Sequence, residues 1–149
     1  MTEYKSILPE ITLKYKKGEI LKCKISSSKD CNEVFRKFYD EDVFLLSESF
    51  IVLFLNKANN SIGWYKLSTG GITGTVADLR LLFAAALNCA ATSIILSHNH
   101  PSGNLKPSDA DVKLTRKIKD AGFILDITVI DHLIITEENY YSFADEGIL

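Results

Sequence analysis

One apolar segment ends abruptly in two histidines and leads at once into a loop and a helical pattern. The segment is "TSIILSHNH", residues 92–100, and its apolar run from Ile94 to Leu96 is typical of a strand buried on both faces of a sheet. The loop "PSGNLKP" follows, and helical spacing begins at Ser108. A buried strand that leads through a short loop into a helix predicts an α/β fold, in which ligands gather at the carboxyl ends of strands.

Other segments supply the rest of the predicted sheet and its helices. Further strands are predicted at "ITLKYK", "ILKCKIS", "SFIVLFLN", "SIGWYKLS", "ILDITVI" and "HLIIT", and "NKANN" indicates a hairpin turn. Helical spacing occurs in "SKDCNEVFRKFYD", "VADLRLLFAAALNCA" and "SDADVKLTRKIKDAG". Asp30 and Glu33 are a candidate capping box for the first helix, and the third is expected to end at Gly122. We therefore predict an α/β fold with helices flanking a mixed sheet.

The size and composition fit one cytoplasmic domain. At 149 residues the chain is long enough for a single core, and we expect one domain over residues 1–149. No apolar run approaches the roughly 20 residues that cross a bilayer, and the first residues carry no apolar signal region, so we expect no membrane contact. An odd number of cysteines without a C-x-x-C pair favours buried free thiols in a reducing cytoplasm over metal or redox roles; they are Cys23, Cys31 and Cys89.

The charge balance gives no general attraction to nucleic acid. The net charge is −2, whereas nucleic-acid binding normally depends on clustered lysine and arginine. The segment "KYKKGEILKCK", residues 14–24, is a local exception that carries five lysines around Gly18. Lysines on an edge hairpin more often prevent strand-to-strand aggregation than bind phosphate, so a nucleic-acid patch is the less favoured interpretation.

The spacing of the two histidines suits a metal ion. Side chains two positions apart in a strand point to the same side, so His98 and His100 can present their imidazoles to a single point. The loop after His100 contains two prolines and a glycine, which favour a tight return into the next helix. Asp111 lies one turn inside that helix and can add a carboxylate. Two imidazoles and one carboxylate leave a fourth tetrahedral position for water, as in catalytic zinc sites.

Ser108 and Asp111 also have a simpler interpretation. The pattern Ser-x-x-Asp fits a capping box, in which the serine hydroxyl binds a backbone N–H and the acid reaches back to the first residue. Capping alone does not account for the histidines, however, and the two interpretations can both hold. Ser108 can end the loop while its hydroxyl faces the site.

These residues resemble a known motif. His98, His100, Ser108 and Asp111 match the JAMM (MPN+) metalloprotease motif, and the chain looks like the RadC-type JAB domain through "SESFIVLFLN", "GGITGTVADLRLLFAAAL", "ILSHNHPSGNLKPSDAD" and "DHLIIT". The resemblance implies a three-layer fold close to that of cytidine deaminases and one zinc ion bound by His98, His100 and Asp111. It also implies that Ser108 stabilises the tetrahedral intermediate and that a glutamate from an earlier strand activates the water.

That glutamate corresponds by resemblance to Glu48, just before "SFIVLFLN", whereas spacing alone leaves Glu41 and Asp42 as alternatives. Asn99 stands where eukaryotic JAMM enzymes commonly have serine or threonine, a difference that RadC-type sequences share and that should leave coordination intact. The resemblance does not include the helix-hairpin-helix region of full-length RadC proteins, so a DNA role is not expected by that means.

Three further features have open interpretations. The segment "STGGITGT" precedes a helix, but it lacks a nucleotide-binding pattern and more simply forms a turn near the site. Arg80 can pair with a carboxylate of a substrate or of the fold. His132, beside Asp131 at a predicted strand start, is interpreted as structural or as a support for a ligand rather than as a ligand.

The leading functional hypothesis is a zinc-dependent hydrolase that cleaves a peptide or isopeptide bond in a peptide or protein conjugate. The metal would activate water, Glu48 would carry its proton to the leaving amine, and Ser108 would donate to the oxyanion. Nucleobase deamination is disfavoured because its H-x-E and P-C-x-x-C signature is missing. A DNA repair or recombination factor that serves as a binding module is the remaining alternative, and it lacks support from the net charge.

Overall fold

The computed structural model describes residues 8–15, 23–70 and 77–149. Within these ranges the chain forms three helices and five strands. The helices are α1 (Ser28–Arg36), α2 (Leu79–Asn88) and α3 (Asp109–Ile124). The strands are β1 (Ser49–Leu55), β2 (Ser61–Thr69), β3 (Ser93–Asn99), β4 (Thr128–Ile135) and β5 (Tyr140–Ser142).

The strands form one mixed sheet in the order β2-β1-β3-β4-β5. The β3–β4 pair is parallel and the other neighbours are antiparallel. Every residue of β1 is buried, as is β3 after Ser93, because these central strands are covered on both faces. One face packs on α2 and α3 through a core that includes Val52, Leu82 and Ile118, and the other packs on α1 through a core that includes Ile51 and Phe35. This three-layer arrangement confirms the predicted α/β fold.

The sheet register places the start of β1 beside the end of β3. Strand β1 runs antiparallel to β3 with Phe50 opposite His98, so the chain that enters β1 lies beside the chain that leaves β3. At the other end, β1 and β2 are joined by the predicted hairpin turn at residues 56–60, in which Asn59 adopts a positive φ of 60°. Asparagine tolerates this left-handed conformation better than most residues.

Two predicted helix boundaries were wrong. Helix α1 is capped by Ser27, whose hydroxyl accepts from the Asp30 N–H while the Asp30 carboxylate accepts from the Ser27 N–H, so the Asp30–Glu33 capping box does not form. Helix α3 continues past Gly122 to Ile124. A Cβ on Gly122 would lie 2.4 Å from the Ile127 carbonyl oxygen, so this glycine allows close packing within the helix rather than ending it.

The strand predictions need three corrections. Only the last three residues of "ILDITVI" and the first four of "HLIIT" lie in the single strand β4, which places His132 inside a strand rather than at its start; Ile124, the first residue of that prediction, belongs to α3. Strand β5 was not predicted; it is only three residues long and pairs with β4. The described part of "ITLKYK", residues 11–15, forms no strand, and the described part of "ILKCKIS" contributes one isolated bridge from Lys24 to Asn60.

Two predicted loops lie largely outside the described residues, namely the lysine-rich hairpin around Gly18 and most of "STGGITGT". The three cysteines are free as predicted, although Cys31 alone is buried and the other two are partly exposed. Burial raises the pKa of the Cys31 thiol to about 12. In the described part of the chain no helix is long and apolar enough to span a membrane.

Candidate metal centre

Three side chains meet at the carboxyl end of β3. His98 Nε2 lies 2.9 Å from His100 Nε2, and the two carboxylate oxygens of Asp111 lie 3.4 Å from these two nitrogens. The candidate ligand atoms all lie within 4.8 Å of one another, and this is the one group of its kind among the residues described. The predicted ligand set is therefore brought to a single point.

The backbone explains why these residues converge. His98 lies in β3, and His100 follows it directly, still held in extended pairing by its N–H to the Ile135 carbonyl at 3.0 Å. The loop then turns at Gly103, whose φ of 80° suits a residue without a Cβ. Helix α3 begins immediately after this loop, and its first turn returns Asp111 to the end of β3.

The capping contacts use the same Asp111 carboxylate as the candidate ligand set. The Ser108 hydroxyl accepts from the Asp111 N–H at 3.0 Å, and the Asp111 oxygen Oδ2 accepts from the Ser108 N–H at 2.8 Å. That same Oδ2 faces His100 Nε2. The capping box thus holds the carboxylate in position towards the histidines, so the two sequence interpretations are compatible.

A backbone contact determines which ring nitrogen of His100 carries the proton. Its Nδ1 lies 2.6 Å from the Asn104 carbonyl, which can only accept a hydrogen bond. Nδ1 must therefore carry a proton, and in the neutral ring Nε2 keeps its lone pair towards Asp111 and His98.

A longer chain of hydrogen bonds defines the ring of His98. The Thr115 hydroxyl donates to the Asp111 carbonyl at 2.7 Å and lies 2.6 Å from His132 Nδ1. Because this hydroxyl hydrogen is already used, His132 Nδ1 must donate and its Nε2 must accept. His98 Nδ1, 2.7 Å from His132 Nε2, is then the donor, which leaves His98 Nε2 as a lone pair at the site.

Two buried aromatic rings stack on the histidines of this hydrogen-bonded series. Phe50 stacks on His98 with centroids 6.0 Å apart, and Phe143 stacks on His132 at 4.6 Å. Burial, together with the nearby His98, lowers the pKa of His132 well below its usual value, so that ring is neutral as the hydrogen-bond directions require.

The partly buried carboxylate and histidine stabilise each other's charge. Partial burial opposes ionisation of Asp111, but its contacts with His100, His98 and the Ser108 N–H outweigh it and lower the pKa of the Asp111 carboxyl. Partial burial also opposes protonation of His100, but the Asp111 carboxylate and the Asn104 carbonyl outweigh it and raise the pKa of His100. Asp111 is thus an anion ready to bind a cation.

An open cleft of about 610 Å³ borders the site, and both predicted catalytic side chains line it. Glu48 and Ser108 share this cleft with His100 and Asp111. Glu41, an alternative to Glu48, instead lines a separate pocket with Arg36 and Tyr39. Arg80 is exposed and pairs with Asp78 at 3.2 Å, so the fold supplies its carboxylate.

The donor set fits zinc. Two imidazole nitrogens with defined lone pairs and one ionised carboxylate are typical zinc ligands, and three protein ligands beside an open cleft are typical of a catalytic rather than a structural site. The same residues would also be poorly explained as a packing arrangement, because two facing Nε2 lone pairs repel each other unless a cation or proton lies between them.

A family model described as the RadC-like JAB domain matches residues 25–148, which include every residue of this site. The chain belongs to the RadC-like JAB domain family. A UPF0758 protein of Flavobacterium johnsoniae is 51% identical over 140 residues, which cover 93% of this chain and 60% of the relative. A UPF0758 protein of Porphyromonas gingivalis is 44% identical over 70% of this chain and 47% of the relative. This RadC-like JAB chain thus spans about half to 60% of the length of these relatives.

Of two further participants in this RadC-like JAB site, one was missed in the sequence and the other was interpreted correctly as a support. Thr115 appeared only as part of a helical pattern. Its position four residues after Asp111, on the same helix face, was a signal that its hydroxyl could contact the site. His132 was interpreted as structural or as a support, and the structure places it against the Nδ1 of His98.

Proposed function

We propose that this RadC-like JAB domain is a zinc-dependent hydrolase that cleaves a peptide or isopeptide bond in a peptide or protein conjugate. One observation carries the proposal. The Nε2 atoms of His98 and His100 and the carboxylate of Asp111 converge at the wall of an open cleft that also contains Glu48 and Ser108.

The proposed metal would be held by His98, His100 and Asp111. When bound, zinc supplies Lewis acidity, which lowers the pKa of a coordinated water towards about 7 and polarises a carbonyl group. The two supporting contacts, from His132 to His98 and from Asn104 to His100, place the ring protons on the Nδ1 atoms and so leave the Nε2 atoms to bind the cation.

Glu48 is the proposed general base. It lies immediately before β1, and continuing the antiparallel register from the Phe50–His98 pair would place it opposite His100. From there its carboxylate accepts a proton from the attacking water and returns it to the leaving amine. Glu41 is the less suitable base because it lines another pocket.

Ser108 is the proposed donor to the oxyanion. Its oxygen already accepts from the Asp111 N–H, and its hydroxyl hydrogen remains available to the cleft that it lines. Such a fixed donor stabilises negative charge that develops on the carbonyl oxygen.

The test is a screen of peptide and isopeptide-linked libraries with zinc-loaded protein. Cleavage should occur with the loaded protein, stop after chelation and return when zinc is restored. The matched control is Asp109→Ala, since Asp109 lies in the same first turn of α3 but is exposed and outside the proposed ligand set. Cleavage by the chelated wild-type protein or by Asp111→Ala at the rate of the zinc-loaded wild-type protein would contradict the proposal.

A further inference from the structure

We propose that Asn99 is a positioning residue that holds the segment 44–49 and thereby sets the location of Glu48 at the site. The inference rests on the proposed function for the role of Glu48, whereas the contacts of Asn99 are structural. Asn99 lies between the two histidines but is fully buried, with an exposed fraction of 0%.

Strand geometry separates Asn99 from its neighbours. Successive side chains of a strand point to opposite faces, so His98 and Asn99 face different layers of the fold. His98 stacks on Phe50 and approaches α3 through Asp111, whereas Asn99 contacts the chain between α1 and β1. Asn99 therefore acts from the face of the sheet opposite the ligands.

Both the oxygen and the nitrogen of the Asn99 side-chain amide are hydrogen-bonded to that segment. Its Oδ1 accepts from the Ser49 N–H at 2.7 Å, and its Nδ2 donates to the Phe44 carbonyl at 2.7 Å and to the Ser47 carbonyl at 3.0 Å. The partners are a donor on one side and two acceptors on the other, which fixes the orientation of the amide. A serine has a single hydroxyl and cannot replace this set.

These contacts bracket Glu48. Two lie just before and just after it in the chain, at Ser47 and Ser49, and the carbonyl of Glu48 itself accepts from the Gly70 N–H at 2.8 Å. The residues from 41 to 46 form turns rather than a helix or strand, so the segment has little regular structure of its own to hold its shape. A shift of about 1 Å in a catalytic group can reduce turnover by about 10²-fold.

The first test compares Asn99→Ala with Asn56→Ala by amide hydrogen exchange, in metal-free protein without substrate. Asn56 is a matched control because its side-chain Oδ1 also accepts from backbone N–H groups, those of Ala58 and Asn60 at 3.0 Å, but at the opposite end of β1. Peptides that cover residues 43–49 should exchange faster in Asn99→Ala and at the wild-type rate in Asn56→Ala. Equal protection of these peptides in both variants would overturn the inference. Asn99→Ser serves the same comparison if Asn99→Ala does not fold.

The second test asks whether the held segment serves Glu48. With a cleavable substrate, Asn99→Ala should keep its zinc and lose kcat by about 10²-fold with little change in KM. The same substitution in a Glu48→Gln background should cause no further loss, because the positioned group is already disabled. Additive losses, or wild-type kcat in Asn99→Ala, would overturn the inference. Because the exchange experiment needs neither metal nor substrate, a failure of the proposed hydrolase function cannot be mistaken for a failure here.

Discussion

The Nδ1 of His98 lies 2.7 Å from the Nε2 of His132, a residue 34 positions away in the chain. Together with the contact from Thr115 to His132, this hydrogen bond assigns the proton of each ring and leaves one lone pair of His98 at the site. A buried, neutral histidine thus determines which nitrogen a candidate ligand offers.

We expect His132→Phe to weaken zinc binding by about 10–100-fold, because supports of this kind typically contribute that much to metal affinity. Phenylalanine retains the stacking position beside Phe143 but cannot accept from His98 Nδ1. The measurement is competition for zinc against a chromophoric chelator. His132→Gln, which keeps an acceptor, should recover part of the loss, and wild-type affinity in His132→Phe would show that the contact has no role in binding.

Zinc affinity should fall as the pH drops. The fall should begin at a higher pH than it would for a histidine with an ordinary pKa. The pKa of His100 is raised in the metal-free protein, chiefly because its contacts with Asp111 and Asn104 outweigh the effect of burial. A raised pKa means that the proton stays bound to higher pH, and zinc must displace it. Below that pKa the apparent affinity should decline by about tenfold per pH unit for this one proton. Titrations of zinc at several pH values test this, and a pH-independent affinity between pH 5 and about 7 would contradict it.

The domain should remain folded without metal. Its sheet is covered on both faces by apolar cores, and burial of each large aliphatic side chain contributes about 1.5–3 kcal/mol, in contrast to small zinc-dependent folds. Far-UV circular dichroism after complete chelation should therefore match that of the loaded protein. Loss of the signal on chelation would show that the metal is needed for folding.

Glu48→Gln should preserve the fold and the bound zinc but reduce hydrolysis by about 10²–10⁴-fold. Glutamine is nearly the same size and can still hydrogen-bond a water, but it cannot accept the proton. Parallel measurements of zinc content and turnover separate the possible roles. Wild-type turnover in Glu48→Gln would show that another carboxylate is the general base. Loss of zinc in this variant would show that Glu48 is a ligand or supports one.

The candidate ligands could be predicted from the sequence because they lie close together along the chain. The period of a strand places His98 and His100 on one side, and a short loop returns Asp111 to the strand end. Glu48 could not be predicted in the same way. Its place beside His100 depends on the register between β1 and β3, which spacing along the chain does not determine. The contacts of His132 and Asn99 likewise join distant parts of the chain.

The predictions of helix boundaries were wrong where the residue that gave the local signal has another role in the folded protein. Gly122 predicts a helix end, but the approach of the Ile127 carbonyl requires a glycine within the helix. The serine cap of α1 was missed because Asp30 can act either as the first residue of a capping box or, as here, as its last.

The central claim is that one zinc ion binds to His98, His100 and Asp111, and elemental analysis of purified protein tests it most directly. Wild-type protein saturated with zinc and then freed of loosely bound metal should retain one ion per chain, as should Asp109→Ala. His98→Ala and Asp111→Ala should each retain almost none while keeping their far-UV circular dichroism. Full zinc retention in a folded His98→Ala variant would contradict the account, since the histidine pair would then be structural.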